Sequence, residues 1–453
     1  MKNNDSQLDL FGENFDHNWS SQPENFDEGI GKPRLLNANR EQIEFRIQSL
    51  DQLIPLEHKA RLVWKFVDSL DMSLYLNSIK SVEGGVGRSA ISPKILVSLW
   101  LYATIEGIAS AHQLGRYCEE HSAFVWICGN VKVERKTLSN FRADQGDLLN
   151  NLLAQSIATM LHKGLISLDE IGQDGMRVRT SAGSSSFRTL KTLKQHYKAA
   201  KKYVRELQKE NDNAGKTFAK KEQEKLEKAR KEEEKLKSAI EEMKVFEKEI
   251  NEGKKKHRKK TLTKEEKNKL RVSTTDPKAR KMKMADSGFR PAYNVQFATT
   301  VKGQAIVSVG ITNKGSDYNQ LEPMFNQVIG KYKTIPECWL ADNGFNNHKE
   351  IEKLENAGCK TYIPVKKSKK SDPYAPKKDE SKALASRRER MGTEEAKQKY
   401  KLRPQTAEFP NAEARNRGMH RLLVRGMNKA LNVSTIFAIT YNLMRMNCLN
   451  GLI

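Results

Sequence analysis

The sequence contains few cysteines, and those present form no paired motif. The five cysteines are Cys118, Cys128, Cys338, Cys359 and Cys448. They show neither the CxxC pairs that are typical of zinc sites nor the framework of a disulfide-stapled secreted domain. We therefore predict free thiols in a reducing compartment, the cytoplasm.

Long hydrophobic runs are also missing. No apolar run reaches the roughly twenty residues of a transmembrane helix, and no hydrophobic region of a signal peptide is present. The apolar segment PKILVSLWLYATIEGIAS contains Lys94 and Glu106, so it predicts a core helix of a soluble protein. Gly310 and Gly315 form no phosphate-binding loop and no Walker motif occurs, so ATP is not expected as a ligand.

Acidic residues are outnumbered by basic ones. The 453 residues include 80 Lys and Arg against 56 Asp and Glu, which gives a net charge of +24. This balance indicates a polyanionic partner, because Lys and Arg displace the counterions condensed on nucleic-acid phosphates. Nucleic acid is the leading candidate, and an anionic membrane surface is the alternative.

Composition and periodicity divide the chain into four parts. Residues 1–40 are polar and locally acidic, which predicts a flexible tail, and residues 41–165 show the apolar spacing of helices. Strand and helix patterns alternate over 166–186 and 271–449, on either side of a Lys/Glu-rich insertion at 187–270. Without the insertion, a three-strand antiparallel meander precedes alternating helices and strands. This order predicts an α/β core with a mixed sheet flanked by helices.

The C-terminal quarter predicts a loop followed by helix. Residues 366–400 are rich in Lys, Arg, Ser and Pro, which predicts a mobile basic loop. The segment from Ala407 to Met446 is predicted to be helical, with a buried helix at its apolar end. Because proline is tolerated in a first helical turn, Pro410 predicts that Glu408 lies near a helix start.

The helical part contains a basic, polar helix start. Two or three short helices that end at RKTLSNFRAD are compatible with a helix-turn-helix module in an N-terminal, all-helical DNA-binding domain. Its candidate DNA contacts are Arg135, Lys136, Ser139, Asn140 and Arg142. A solvated helix surface explains the same residues equally well, so both alternatives stay open.

The insertion has the spacing of a helical hairpin. Apolar residues recur every three or four positions over residues 190–207 and 226–250, on either side of a breaker at 211–215. This spacing predicts a two-stranded antiparallel coiled coil. Its role is open between a charged spacer, a subunit contact and a DNA contact. The basic cluster at 253–260 is a candidate phosphate contact or a solvated tail.

Three acidic residues, far apart in sequence, carry the strongest chemical signal. Asp174 lies in GQDGMRVRTSA, Asp342 closes the apolar stretch CWLADNGF, and Glu408 lies in TAEFPNAEARNRG. Two carboxylates at the ends of neighbouring strands and a third on a nearby helix can hold two divalent cations, which clamp the attacking and leaving oxygens of a phosphodiester. Each residue also has an ordinary interpretation, because the Asp-Gly and Asp-Asn-Gly sequences favour turns and Glu408 suits a helix surface.

Several separated motifs, in order, resemble bacterial insertion-sequence transposases of the DDE type. The motifs are DGMRVRTSAG, DPKARKMKMADSGFRPAYNVQFATT, ITNKGSDYNQLEPMF, LADNGFNN and TAEFPNAEARNRGMHRLLVRGMNKA, and the resemblance runs from about residue 49 to about residue 449. It implies a ribonuclease-H-like catalytic domain whose acidic triad is Asp174, Asp342 and Glu408. It also implies that these residues hold two Mg²⁺ ions, for which Mn²⁺ can substitute.

The same resemblance implies an activity and partners. An enzyme of this kind cleaves the ends of an insertion sequence and joins the 3′ hydroxyl to target DNA by phosphoryl transfer. Its expected partners are double-stranded DNA, as terminal inverted repeats and target, and a second copy of the chain in a synaptic homodimer. We expect a cytoplasmic, nucleoid-associated bacterial protein that binds no membrane. Two alternatives remain, a catalytically inactive DNA-binding relative and a nuclease on the same fold that hydrolyses without strand transfer.

The residues around Glu408 match the family pattern only in part. The resemblance implies DNA-phosphate contacts by Arg403 and Arg415, with Tyr400 in a similar place to a family tyrosine. Arg403 lies one residue further from the glutamate than the usual spacing, and Glu413 is a competing glutamate.

Overall fold

The computed structural model describes most of the chain from residue 48 onward. The described residues are 48–450 without 78, 80, 82–88, 215–219, 257–259, 367–371 and 378–379. The predicted tail at 1–40 and part of the basic cluster at 253–260 lie outside them. Residues from Ser49 onward form one compact unit. No helix among the described residues is long and apolar enough to cross a membrane.

The N-terminal region is helical. Its helices are α1 (Lys59–Asp68), α2 (Ser73–Leu76), α3 (Pro93–Ile105), α4 (Ala111–Glu120), α5 (Ser122–Cys128), α6 (Arg135–Asp144) and α7 (Gly146–His162). Pro93 occupies the first turn of α3, where a missing N–H costs no hydrogen bond. Almost all of α3 is buried, and Trp100 Nε1 donates a hydrogen bond to the Leu138 carbonyl of α6 at 3.1 Å. The apolar segment is therefore a core helix, as predicted.

A mixed sheet follows, which is the feature that positions the candidate site. The strands are β1 (Glu170–Arg179), β2 (Phe187–Arg188), β3 (Val272–Ser273), β4 (Arg280–Lys283), β5 (Phe289–Thr300), β6 (Ile306–Thr312), β7 (Cys338–Leu340) and β8 (Lys360–Tyr362). In the main sheet, β5 pairs antiparallel with β1 on one side and with β4 and β6 on the other. β7 and β8 continue the sheet from β1 in parallel. The chain therefore has the predicted α/β character.

The insertion forms a helical hairpin whose two ends are joined by a short two-stranded β-ladder. Its helices are α8 (Leu190–Ala214), α9 (Lys220–Lys256) and α10 (Lys264–Lys269). Near the sheet, Leu193 shares a core with Leu236 and Met243, whereas further out Leu207 shares one with Leu226. This pairing is antiparallel. The β2–β3 ladder joins the two ends of the insertion, so the hairpin leaves the sheet and returns at one place.

Helices after the strands cover the sheet. They are α11 (Leu321–Tyr332), α12 (His348–Asn356), α13 (Lys382–Gly392), α14 (Glu394–Tyr400), α15 (Phe409–Asn416) and α16 (Met427–Asn450). The long helix α16 packs on β6, where Asn442 accepts from the Ile306 N–H and donates to its carbonyl, both at 2.8 Å. One hydrophobic core extends from the N-terminal helices through α16 to the sheet.

The predicted mobile loop at 366–400 is wrong for the described part of this segment. Helices α13 and α14 occupy it, because Arg387 and Arg388 serve as interior anchors rather than as solvated charges. The Arg387 guanidinium is buried and donates to the Ile363 carbonyl at 2.6 Å. Arg388 forms a buried bidentate pair with Glu380 at 2.8 and 2.6 Å. Composition alone cannot distinguish such buried arginines from exposed ones.

The segment from Ala407 to Met446, which was predicted to be helical, contains the two helices α15 and α16 with a break between them. The chain leaves the helical conformation between α15 and α16, and Gly418 adopts a φ of +81° there. A Cβ at Gly418 would lie 2.6 Å from the Gly107 carbonyl oxygen. The break therefore depends on a close backbone approach between distant segments, which helical periodicity does not reveal.

Candidate active site

Asp174 and Asp342 lie side by side because their strands are parallel neighbours. Gly172 of β1 pairs with Leu340 of β7, and each aspartate follows its pairing residue by two positions. Because side chains alternate between the faces of a sheet, two such residues fall on the same face. The prediction that these two strands are sheet neighbours is confirmed.

Glu408 ends a π-helical turn that spans Pro404–Glu408 and joins the chain to α15. The Phe409 N–H donates to the Pro404 carbonyl, five residues back. A π turn accommodates one more residue than an α turn, and such turns are frequent at functional sites. The π turn accommodates the residue by which the spacing between Arg403 and Glu408 exceeds the family pattern. The two side chains therefore still face each other. Pro410 lies just beyond, where its ring would clash with a carbonyl of a regular α-helix.

Arg403 joins the three acidic residues. Its Nη1 lies 2.7 Å from Glu408 Oε1, and its Nη2 lies 3.8 Å from Asp174 Oδ1 and 4.0 Å from Asp342 Oδ2. The two aspartate oxygens are thus at most 7.8 Å apart, the sum of their distances to Nη2. The acidic residues at 174, 342 and 408 therefore converge on one place.

Asp174 is the most buried of the three carboxylates. Burial raises its pKa to about 7, although Arg403 and the Gly175 N–H act in the opposite direction. Asn411 Nδ2 donates to Asp174 Oδ2 at 3.0 Å, and the Gly175 N–H donates to Oδ1 at 2.9 Å. These contacts fix both oxygens of Asp174. A second positive charge near Asp174, in addition to that of Arg403, would favour the ionised form of the Asp174 carboxyl group.

The chemistry of the site fits a hard divalent cation, although an arginine lies between the carboxylates. Two Mg²⁺ ions about 4 Å apart, each about 2.1 Å from its ligands, span about 8 Å between outer oxygens. The aspartate separation of at most 7.8 Å falls within that span. Within the described part of the chain, no group of three or more acidic, histidine or cysteine side chains is arranged to hold a metal as it stands. Arg403 lies between these carboxylates.

Asp317 is a fourth carboxylate that sequence reasoning missed. Its Oδ1 accepts from Asn294 Nδ2 at 2.8 Å and from Gln296 Nε2 at 2.7 Å. Its charge contributes to the raised pKa of Asp174. The only sequence signal was its position in the family-like motif ITNKGSDYNQLEPMF. Asn411 was missed too, because an amide gives no signal of its own.

The carboxylate of Asp317 occupies the space that a side chain at residue 175 would need. A Cβ at Gly175 would overlap both Asp317 Oδ1 and Gln296 Nε2. We expect Gly175→Ala to lower DNA cleavage by about 10²-fold, because small displacements beside a reacting centre have effects of that size. The free energy of unfolding should fall by less than about 2 kcal/mol, because movable side-chain ends are displaced. Cleavage rates and urea unfolding measure the two effects.

Gly183→Ala is the matched control for this substitution. A Cβ at Gly183 would have Ser185 Oγ at 3.5 Å as its nearest neighbour, which is ordinary van der Waals contact. We expect this variant to keep both its activity and its stability. If Gly175→Ala cleaved DNA as fast as the unchanged chain, the position of Asp317 would have no bearing on the site.

The residues predicted to contact DNA on α6 divide into two groups. Arg135, Lys136, Ser139 and Asn140 are exposed, as a DNA-contacting face requires. Arg142 is buried, donates to the Ala109 carbonyl at 2.6 Å and lies 4.2 Å over the Trp100 ring. The prediction of a DNA contact for Arg142 is therefore corrected, because the guanidinium is enclosed by the core. Helical periodicity places residue 142 on the same face as Leu138.

The two arginines implied as phosphate contacts near Glu408 also differ. Arg415 is exposed, and no acidic side chain among the described residues lies within 4 Å of it. The Arg403 side chain is only 12% exposed and pairs with the three carboxylates. In this arrangement Arg403 balances their charge rather than facing DNA. The competing glutamate Glu413 pairs with Arg417 at 3.1 Å, so the structure favours Glu408 at the site.

Comparison with protein families gave two matches. A model described as "Transposase domain (DUF772)" matches residues 48–144, and one described as "Transposase DDE domain" matches residues 349–447. The second match includes Glu408 and Arg403, whereas Asp174 and Asp342 lie outside both matches. Comparisons with curated proteins and with solved structures gave no match.

Both matched models describe transposase domains. Together with the ordered motifs, they confirm the resemblance to insertion-sequence transposases of the DDE type.

Proposed function

We propose that this protein is a DDE transposase that cleaves the ends of an insertion sequence and joins the freed 3′ hydroxyl to target DNA. The observation that carries the proposal is the convergence of Asp174, Asp342 and Glu408 on the single guanidinium of Arg403. Asp174 and Glu408, which are more than 230 positions apart in the chain, contact the same positively charged guanidinium. An ordinary turn or a solvated helix surface gives no reason for that convergence.

The sheet supports a ribonuclease-H-like catalytic domain. Three antiparallel strands, β6, β5 and β1, precede two parallel strands, β7 and β8. One aspartate lies on the central strand and the other follows its parallel neighbour. Ligand sites of sheets with parallel strands lie beyond the carboxyl ends of those strands, which is where Asp342 is found.

The chain's own residues have separate tasks in this proposal. Asp174, Asp342 and Glu408 would hold two Mg²⁺ ions, with Mn²⁺ as a substitute. When bound, the metals would activate the attacking oxygen and stabilise the leaving oxygen of the phosphodiester. Asn411 holds Asp174 in its orientation, and the N–H of Gly344 holds Asp342 Oδ1 at 2.7 Å. Arg403 keeps the three carboxylates together until cations replace it.

DNA recognition and assembly belong to the same proposal. The exposed polar side chains of α6 would contact the terminal inverted repeats, because a basic helix start is suited to a DNA groove. Two element ends must be brought together, so we propose a homodimer in the synaptic complex. The hairpin of α8 and α9 presents a long charged surface for a contact with the second copy or with DNA.

One observation favours a second candidate, a catalytically inactive DNA-binding relative. Arg403 occupies the space between the carboxylates, and a positive side chain there could serve structure alone. Calorimetric titration with Mn²⁺ distinguishes the two candidates. Binding that Asp342→Asn weakens supports the enzyme, and a titration without binding heat supports the inactive relative.

A product assay tests the proposed reaction. The protein is incubated with duplexes that carry the ends of its element, a target plasmid and Mn²⁺, and the products are sequenced. We expect joined products with the element's 3′ end linked to target DNA, and we expect none when EDTA is added. Nicked DNA without joined product would assign the chain to the hydrolytic nucleases, and no cleavage at all would contradict an enzyme.

A further inference from the structure

A large cleft opens beside the candidate active site. Its volume is about 670 Å³, and its floor includes Gly175, the neighbour of Asp174. The walls come from the outer end of β1, from β4 with the turn that follows it, and from the end of α15. The basic residues that line it are Arg177, Arg179, Lys283, Arg290, Arg415 and His420.

Most of the positive charge in this cleft is not neutralised by the protein. Arg177, Arg179, Lys283 and Arg415 are exposed, and among the described residues none of them has an acidic side chain within 4 Å. Unpaired cations that face the same space repel one another, so this arrangement favours a polyanion.

Two acidic side chains also line the cleft. Asp286 pairs with Arg290 at 2.7 Å. Asp317 accepts from Asn294 and Gln296 on β5, and these neutral amides do not cancel its charge. Five Arg and Lys side chains against two aspartates still leave the cleft with a net positive charge.

The cations form a row that leads away from the catalytic carboxylates. Gly175, Arg177 and Arg179 alternate along β1, so they lie on one face with steps of roughly 7 Å. The Arg177 side chain donates to the Lys283 carbonyl at 2.8 Å, which brings β4 alongside the row. Arg415 lines the cleft from α15. The row ends at Gly175, the chain neighbour of Asp174, although the Asp174 side chain falls on the other face of β1. Asp317 connects the two, because it lines the cleft and its charge acts on Asp174.

We infer that this cleft binds the sugar-phosphate backbone of duplex DNA close to the carboxylates at 174, 342 and 408. This inference rests on the proposed function for the role of the bound duplex. The contacts are arginine and lysine side chains on a strand and a turn rather than on a recognition helix. They therefore set affinity and position, and they do not read sequence.

Salt-dependent DNA binding tests the cleft without any chemistry. The variant Arg177→Gln/Arg179→Gln/Lys283→Gln removes three exposed cations, and binding to duplex DNA is measured over a salt series without divalent metal. We expect the slope of log K against log salt to become shallower by about 3, one for each phosphate contact. Affinity at low salt should fall by at least about 10²-fold, equally for element ends and for unrelated duplex.

The control variant removes the same charge outside the cleft and the hairpin. Lys163→Gln/Lys333→Gln/Lys360→Gln replaces three exposed lysines, at the ends of α7 and α11 and in β8. We expect its slope to change by less than about 1. Equal changes in both variants would mean that overall charge drives binding, and an unchanged slope in the cleft variant would mean that no phosphate lies there. Either result would overturn the inference, as would a loss of affinity confined to single-stranded DNA.

A second variant with a single substitution shows whether a loss of binding comes from the cleft or from misfolding. Arg415→Gln alone changes the opposite wall of the cleft, and we expect its slope to fall by about 1. Thermal unfolding should stay unchanged in every variant. The results distinguish the proposed DNA binding from the proposed activity. Unchanged salt slopes in the cleft variants, together with joined products from the unchanged chain, would reject only DNA binding in the cleft. Reduced slopes in a chain that makes no product would reject only the strand-transfer reaction.

Discussion

Asp174→Asn, Asp342→Asn and Glu408→Gln are each expected to lower metal-dependent DNA cleavage by at least about 10³-fold, because each removes one negative ligand from a shared pair of cations. The substitutions keep the size of each side chain while removing its charge. DNA binding without metal should survive in all three variants, because the duplex is held by basic side chains elsewhere. Cleavage of element-end duplexes in Mg²⁺, with gel-shift measurements alongside, gives both quantities.

Glu413→Gln is the matched control for the acidic residues. It removes the other candidate glutamate, which forms a partly buried pair with Arg417 at 3.1 Å. This pair is separate from the contacts of Arg403 with the three carboxylates, so cleavage should change little. Retained cleavage in any one of the three site variants would remove that residue from the active site. A large loss in Glu413→Gln would reassign the third carboxylate.

Arg403→Gln is expected to lower the free energy of unfolding by about 2 kcal/mol in the absence of metal. Removal of one partner from a mostly buried cluster leaves uncompensated charge. The half-exposed Glu408, at 53%, limits the effect because solvent screens its charge. The same change should tighten Mn²⁺ binding by about tenfold, because the competing positive charge is gone. Urea unfolding with and without Mn²⁺ measures both effects through linkage.

Lys401→Gln serves as the control for this variant. Lys401 is exposed and lies two residues before Arg403, and its side chain donates to Gln398 at 3.3 Å. We expect no change in its stability or in its response to Mn²⁺. If Mn²⁺ stabilised the unchanged chain and Arg403→Gln equally, Arg403 and the metals would not share a site, and the guanidinium would have a structural role alone.

The π turn explains why a departure from the family spacing does not disrupt the site. With one extra residue, a regular α-helix would rotate Glu408 by about 100° away from Arg403. The wider turn absorbs that residue, and the pair forms at 2.7 Å. The spacing between Arg403 and Glu408 in the sequence is therefore informative only together with the local helix type.

Structural features that depend only on neighbouring residues in the chain were predictable from the sequence. The alternating strand and helix patterns over 271–449 are properties of each segment by itself. The apolar spacing at 190–207 and 226–250 is likewise a property of each helix by itself. Ser92-Pro93 marks the start of α3 without reference to any distant residue.

Residues whose role depends on distant partners were not predictable. Arg142 and Arg387 have the same composition signal as exposed arginines, and only packing against Trp100 or the Ile363 carbonyl makes them interior residues. Asp317 reaches the site because Gly175 has no side chain in its way. Its hydrogen bonds to Asn294 and Gln296 cross from one segment to another.

The sequence by itself determined the net charge of +24, the periodic hairpin and the three carboxylates proposed for the active site. Only the tertiary structure decided that Arg403 lies among those carboxylates and that a row of unpaired cations lines a cleft beside Gly175. The physical reason is that periodicity and charge are properties of neighbouring residues along the chain. The balance of charge at one point in space depends on which distant segments the core brings together.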